Sequence, residues 1–197
     1  MSFTTATVTE CLYLSTTVGA TLASFTSEAV LNTVGTMGVQ ANLPTNFWLP
    51  NQSQTGRGFY VRAFGILSST GTPTYTFTVR LGGSASVSGP VVLGSAALQT
   101  ASGASNQFWE LDGYVSLTAM GGVGANSTVR GTGRIISPGL TGTNAGINPL
   151  YGGSASPGTV TTVDTSITNF VNVNVACSAN SGSNSITLQQ LVVLGLN

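Results

Sequence analysis

The sequence predicts an all-β protein, on three observations. Apolar and polar residues alternate with a period of two along most of the 197 residues, segments rich in Gly, Pro, Ser and Asn separate the alternating runs, and helical spacing never persists beyond a turn or two. The clearest run is 74–81, where Tyr, Phe, Val and Leu alternate with three Thr and one Arg. Successive side chains of a strand point to opposite faces, so this run predicts a strand with one buried face.

The same alternation places eight strands in one domain. The predicted strands are 28–34, 57–67, 74–82, 90–98, 107–120, 126–137, 168–179 and 184–196. Eight strands are typical of a jelly roll, in which two antiparallel sheets pack face to face. We therefore predict an eight-stranded antiparallel jelly-roll-like sandwich over 28–197, preceded by an extended N-terminal arm over 1–27.

Three details complete this plan. The last two strands are joined by the turn-rich segment 178–184, which predicts a C-terminal hairpin. The irregular segment 36–56 contains Phe47 and Trp48, which predicts either a docking point or a plug over one end of the sandwich. The segment 138–158 is a long loop around Tyr151, and loops of that length are usually functional.

The chain is nearly devoid of charge. It has five Arg, five Asp plus Glu, no Lys, no His and a net charge of zero. Charge is the usual means by which a small domain avoids association, and clustered Lys or Arg is needed to bind phosphates. The composition therefore favours a protein that associates with other subunits and disfavours nucleic-acid binding. Neither a signal peptide nor an apolar membrane span is visible, so we expect synthesis in a cytoplasm.

The composition also excludes much of catalytic chemistry. Without an imidazole, a Ser-His-Asp or Cys-His arrangement is impossible, and without Lys a Ser-Lys pair is too. Cys11 and Cys177 are too few for a zinc site or a disulfide framework, and we expect free thiols rather than a bridge. We predict no catalytic residue, no cofactor and no metal.

Glu110 and Asp112 lie two apart on a predicted strand, so both carboxylates face the same way. Such a pair suits a glycosidase or a hard-cation site. The alternative that we favour is cross-strand ion pairing. The candidate partners are the arginines of adjoining strands, Arg62, Arg80 and Arg134.

Two weaker patterns have structural alternatives. Asp164 begins an Asp-Thr-Ser phrase like that of aspartic proteases, but an Asx-turn at a strand end explains it equally well. Trp48, Trp109 and Tyr151 could form a sugar-stacking platform. Trp109, however, follows the alternation of a strand and is expected in the core.

Apolar residues in unusual places are the candidates for an assembly interface. Some lie in the predicted arm, some in the two irregular segments, and some in the last strand, where 191–194 is apolar on both faces. The predicted interface residues are Leu12, Tyr13, Leu14, Phe47, Trp48, Tyr151, Leu191 and Val193.

From about residue 27 onward the order of these features resembles a group of small phage-encoded virion proteins with a jelly-roll fold. The shared phrases are EAVL at 28–31, FYVRAFGIL at 59–67, STGTPT at 69–74, FTVRLGG at 77–83, WELD at 109–112, GTGR at 131–134 and LVVLGLN at 191–197. The resemblance implies a homotrimeric component on the outer surface of a bacteriophage particle.

These observations lead to one expected function and two alternatives. We expect a capsid decoration, or cement, protein that bridges capsomers, with itself and a phage major capsid protein as partners. The alternative from another class is a tail or fibre head that binds a host-surface glycan, with tail proteins as partners. A polysaccharide-degrading enzyme using Glu110 is the third hypothesis.

Overall fold

The computed structural model describes residues 9–33, 41–45, 47–48, 57–124, 126–141, 146–153 and 159–196. These residues contain strands and turns and no helix, so no helical segment among them could cross a membrane. The strands are β1 (Thr9–Leu14), β2 (Leu22–Ala23), β3 (Ala29–Val30), β4 (Asn42–Leu43), β5 (Gly58–Ser68), β6 (Thr74–Gly82), β7 (Val91–Gly94), β8 (Leu98–Gln99), β9 (Gln107–Ala119), β10 (Ser127–Ile136), β11 (Ile147–Tyr151), β12 (Val160–Val163), β13 (Asn169–Cys177) and β14 (Ser185–Leu196).

The strands form two antiparallel layers. Strand pairing is continuous in the order β1-β14-β5-β9-β10-β11-β7-β6-β13-β3. We call the layer β1-β14-β5-β9-β10 sheet one and the layer β3-β13-β6-β7 sheet two. Along the chain, β1, β5, β9 and β14 belong to sheet one, while β3, β6, β7 and β13 belong to sheet two. This repeated crossing between the two sheets is jelly-roll topology, so the predicted fold class is confirmed.

All eight predicted strand regions contain strands, with 90–98 divided into β7 and β8. The eight strands that form the jelly roll differ from the predicted eight in one strand. β1, from the predicted arm, is one of the eight, whereas the predicted strand β10 lies beside β9 as an additional strand of sheet one. Both β11 and β12 pair with β10, and β11 touches sheet two through the single pair Tyr151 with Gly94. The short strands β2, β4 and β8 pair with β14, β13 and β6.

Much of the segment predicted as an arm lies on its own domain. β1 pairs with β14 from Thr9 opposite Leu196 to Leu14 opposite Val192, and β2 pairs with the start of β14. Leu12 and Tyr13 pack against the core. Residues 1–8, most of 36–56, and parts of 138–158 lie outside the described residues.

The predicted C-terminal hairpin is wrong. β13 pairs with β6 in sheet two, whereas β14 pairs with β5 and β1 in sheet one. The segment 178–184 therefore crosses from one sheet to the other instead of folding β14 back on β13. Turn-forming residues favour a reversal of direction, but they do not select the partner strand.

The two sheets meet in one core. Phe77 of β6 lies 5.4 Å from Trp109 of β9, measured between ring centroids, and both side chains are fully buried. Gly65 of β5 lies opposite Trp109. A β-carbon at position 65 would come within 2.0 Å of the Thr187 carbonyl oxygen and 2.6 Å of the Trp109 indole nitrogen, so only glycine fits here.

Candidate assembly surface

Phe47 and Trp48 are not docking residues but part of the core. Their side chains are only 2% and 3% exposed. Trp48 packs edge-on against Phe47, with 4.9 Å between ring centroids, and also contacts Phe59. The Arg57 guanidinium lies over the Phe47 ring, 4.6 Å from its centroid. Phe47 and Trp48 therefore act as a plug, because packing two large aromatic rings into the sandwich removes their apolar surface from water.

Leu191 and Val193 are likewise core residues and not interface residues. Both are fully buried and point inward from β14. The intervening Val192 and Leu194 are half-buried and point outward. Residues 191–194 are therefore apolar on both faces because one face of the strand packs in the core and the other lies on the outer side of sheet one.

The outer face of sheet one consists of the side chains on its strands that point away from the core. Strand register arranges them in six rows that run across the sheet. The rows are Ile66–Phe108; Gln190–Phe64–Glu110–Ile136–Ile147; Leu14–Val192–Arg62–Asp112–Arg134–Pro149; Cys11–Leu194–Tyr60–Tyr114–Thr132–Tyr151; Thr9–Leu196–Gly58–Ser116–Arg130–Val160; and Thr118–Thr128–Thr162. Of the predicted interface residues, Leu14 and Tyr151 lie here, at opposite sides of the face.

This outer face combines exposed apolar side chains with charged groups. Eight large hydrophobic side chains are exposed among the described residues, and four of them lie on it: Leu14, Phe108, Ile147 and Val160. Phe64 and Phe108 form a ring pair with 6.2 Å between centroids. The sequence patterns do not predict Phe64, Phe108 and Ile147 as surface residues. Some of the outward-facing residues of β5 are nevertheless apolar in the sequence.

Charged groups in the middle of the face are paired within the chain. The Arg62 Nε and Nη2 donate to Glu110 Oε1 at 2.7 and 2.6 Å, and the Arg62 guanidinium lies 4.7 Å from the Phe64 ring centroid. Arg134 Nη2 donates to Asp112 Oδ2 at 3.3 Å. Burial, a hydrogen bond to Asp112 and the charge of Asp112 raise the pKa of Tyr60 to about 12.

The outer face of sheet two has a different character. Its outward positions are mostly Thr and Asn, and Arg80 pairs there with Glu28 at 2.8 Å instead of with Glu110 or Asp112. Thr78 also donates to Glu28. Asn174 donates to Thr78, which closes a polar network. The two outer faces of the sandwich therefore differ, one apolar with paired charges and the other hydroxyl- and amide-rich.

The Glu28 network predicts a pH-dependent contribution to stability. Burial raises the pKa of Glu28, but hydrogen bonds from Arg80 and Thr78 and the charge of Arg80 outweigh it, so the pKa lies below its usual value. A lowered pKa in the folded state stabilises the fold above the unfolded-state pKa, and that gain is lost as pH falls through the folded-state value. Glu28→Gln is expected to lower the free energy of unfolding by about 1 kcal/mol at pH 7.

Denaturant unfolding at several pH values measures this effect. The difference between wild type and Glu28→Gln should shrink as pH falls below about 4.5, and Arg80→Met should remove the same pH dependence. An equal difference at pH 3 and pH 7 would contradict the assignment.

The structure also shows the surroundings of the other acidic and thiol groups that the sequence singled out. Among the described residues, no three His, Cys, Asp or Glu side chains lie together. Asp164 Oδ1 accepts hydrogen bonds from the Ser166 backbone N–H at 2.9 Å and hydroxyl at 2.5 Å, which is an Asx-turn and lowers the pKa of Asp164. Cys11 and Cys177 are free thiols, the first exposed and the second buried.

The proposed sugar platform of Trp48, Trp109 and Tyr151 does not form. Both tryptophans are buried in the core, and only Tyr151 reaches a surface. Another aromatic arrangement lies on the outer face of sheet one, around a shallow depression of about 200 Å³. It is lined by Tyr60, Asp112, Gly113, Tyr114, Thr132, Gly133 and Arg134.

The fold and this surface define a jelly-roll sandwich with one apolar and one polar outer face. No protein-family model and no curated protein matches the sequence. Among solved structures, the chain is similar to the CBM2 module of the evolved Dit of Lactobacillus casei BL23 phage J-1, with 12% identity, 97% of each chain covered and a TM-score of 0.34. Similarity at that level carries no conclusion about function.

Proposed function

We propose that the chain is a non-enzymatic structural protein of a bacteriophage particle, a decoration protein that stabilises the capsid from outside. The observation that carries the proposal is the outer face of sheet one, which holds four of the eight exposed large hydrophobic side chains of the described residues and whose four central charges are already paired within the chain. Exposed apolar side chains concentrated on one face indicate an interaction site. The phrases shared with small phage virion proteins, including FYVRAFGIL and FTVRLGG, support placement on a virion.

The proposed mechanism is stabilisation by binding. Contacts that exist only on the assembled shell shift the equilibrium toward that shell by mass action. A homotrimer, which the resemblance implies, would bridge capsomers, because three copies bound together convert weak single contacts into a strong one. The partners in this proposal are other copies of the chain and a phage major capsid protein.

Cosedimentation with capsid shells that lack the protein tests this proposal. We expect saturable binding of hundreds of copies per shell and a rise in the thermal disruption temperature of the shell. Bovine serum albumin at equal concentration controls for trapping. A solitary monomer with no affinity for shells would overturn the proposal.

The second candidate is a tail or fibre head that binds a host-surface glycan. It is supported by the depression on the outer face of sheet one, where Tyr60 and Tyr114 lie beside Asp112 and Arg134. Aromatic rings stack on sugars, and charged groups bond their hydroxyls. A handful of copies per virion and binding to host cell-wall polysaccharide would favour this candidate, whereas hundreds of copies favour decoration.

A further inference from the structure

The outer face of sheet one is large enough to form a stable contact. It is six strands wide, counting β11 and β12 as one position, and about eight residues long on β9. Ordinary strand spacings give it an area of roughly 650 Å². Stable interfaces bury about 800 Å² per partner, and a biological contact should bury at least about 500 Å² on each side.

The distribution of charge indicates what kind of partner fits this face. Arg62 and Glu110 neutralise each other, as do Arg134 and Asp112, so these four groups need no opposite charge from a partner. Apolar groups lie around them on three sides, with Leu14 at one side, Ile147 at the other and Phe108 at one end. The exposed Arg130 lies toward the other end, in the row of Val160. The matching partner is therefore a weakly charged protein surface that leaves Arg130 in water.

A second copy of this chain has that chemistry. Its net charge is zero and only 5% of its residues are charged, so copies do not repel one another. A face that packs against a different surface of the next copy forms a ring when the rotation between copies closes, and such a ring allows an odd number of copies such as three.

We infer that the outer face of sheet one is the surface through which one copy of the chain binds the next. The inference deepens the proposed function and rests on it, because a decoration protein that acts as a homotrimer needs a surface through which its copies bind one another. In the assembly, Phe108 and Ile147 are covered by a neighbouring copy, and the Arg62–Glu110 and Arg134–Asp112 pairs lose their contact with water.

Matched substitutions test the inference. Phe108→Arg puts a charge on the face at a side chain that is 43% exposed in the single chain, and Val123→Arg puts the same charge on the β9–β10 turn, where the side chain is 86% exposed. Sedimentation equilibrium over a range of concentrations measures self-association. We expect Phe108→Arg to raise the dissociation constant about 30-fold or more, and Val123→Arg to change it less than about twofold.

The native Cys11 thiol provides a second readout. Cys11 is exposed and lies on the same face, in the row of Leu194, whereas Cys177 is buried. Alkylation of Cys11 should slow as the wild-type concentration rises through its dissociation constant. In Phe108→Arg it should stay fast over the same range, with circular dichroism confirming the fold. Ile147→Arg, at a side chain 52% exposed, replaces Phe108→Arg if that variant does not fold.

The outcomes separate this inference from the proposed function. Unchanged self-association in both Phe108→Arg and Ile147→Arg would overturn the inference and leave decoration standing. A wild-type protein that binds shells while remaining monomeric in solution and on the shell would also overturn the inference and leave decoration standing. If Phe108→Arg or Ile147→Arg lost binding to shells or to glycan but kept self-association, the outer face of sheet one would bind the shell or the glycan. That result would also overturn the inference. A protein without self-association or shell binding overturns both.

Discussion

Trp48→Ala is expected to lower the free energy of unfolding of the isolated chain by about 3–5 kcal/mol, as usual for truncating a buried aromatic side chain. The Trp48 ring is 3% exposed and packs against Phe47 and Phe59, so its removal leaves a cavity at one end of the sandwich. Urea denaturation followed by circular dichroism, at a concentration where the chain is monomeric, measures the change.

Phe108→Ala is the matched control for this experiment. Phe108 is also aromatic, but it is 43% exposed on the outer face of sheet one, and its truncation should cost less than about 1 kcal/mol. If Trp48→Ala kept the stability of the wild type and reduced binding to shells instead, Trp48 would be a docking residue after all.

Leu191→Ala is expected to destabilise the chain by about 2–5 kcal/mol, whereas Val192→Ala should cost less than about 1 kcal/mol. Leu191 points into the core and is fully buried, and its backbone N–H and C=O both bond to Ser15, at 2.8 and 2.9 Å. Val192 is the next residue on the same strand and points to the outer face.

The same pair of variants separates folding from assembly. Val192→Ala should weaken self-association while leaving the unfolding midpoint of the monomer almost unchanged, and Leu191→Ala should shift that midpoint strongly. Equal destabilisation by both variants would contradict the assignment of opposite faces on β14. Denaturant titration and sedimentation equilibrium on the same samples provide the two measurements.

The charged residues show how far reasoning from sequence extends. Because so few charges are present, Glu110 and Asp112 were expected beside arginines of adjoining strands, and Arg62 and Arg134 lie there. The partner of Arg80 was not foreseen. Glu28 contacts Arg80 from the residue just before β3. Which segment lies beside Arg80 depends on the order of the strands, and local sequence patterns do not determine that order.

The candidate surface was foreseen only in part. Leu14 and Tyr151 are apolar or aromatic in segments without clear strand alternation, so the sequence indicates them, and both lie on the outer face of sheet one. The other apolar residues of this face are in regular strands. In a strand, the sequence alone does not distinguish an apolar side chain that points outward from one that points into the core. A signal was present in β5, since Phe64 and Ile66 are apolar in the same phase as Arg62.

By itself, the sequence determined the class of the protein and the position of the long strands, because alternation and turn-forming residues act locally and need no knowledge of partners. It also determined that the chain has almost no charge with which to keep other subunits away. Only the tertiary structure decided that β13 and β14 lie in different sheets, that Phe47 and Trp48 are core residues, and which outer face is apolar. These features arise from contacts between residues far apart in the chain, where the free energy depends on strand order and register, and many pairings satisfy the same local pattern.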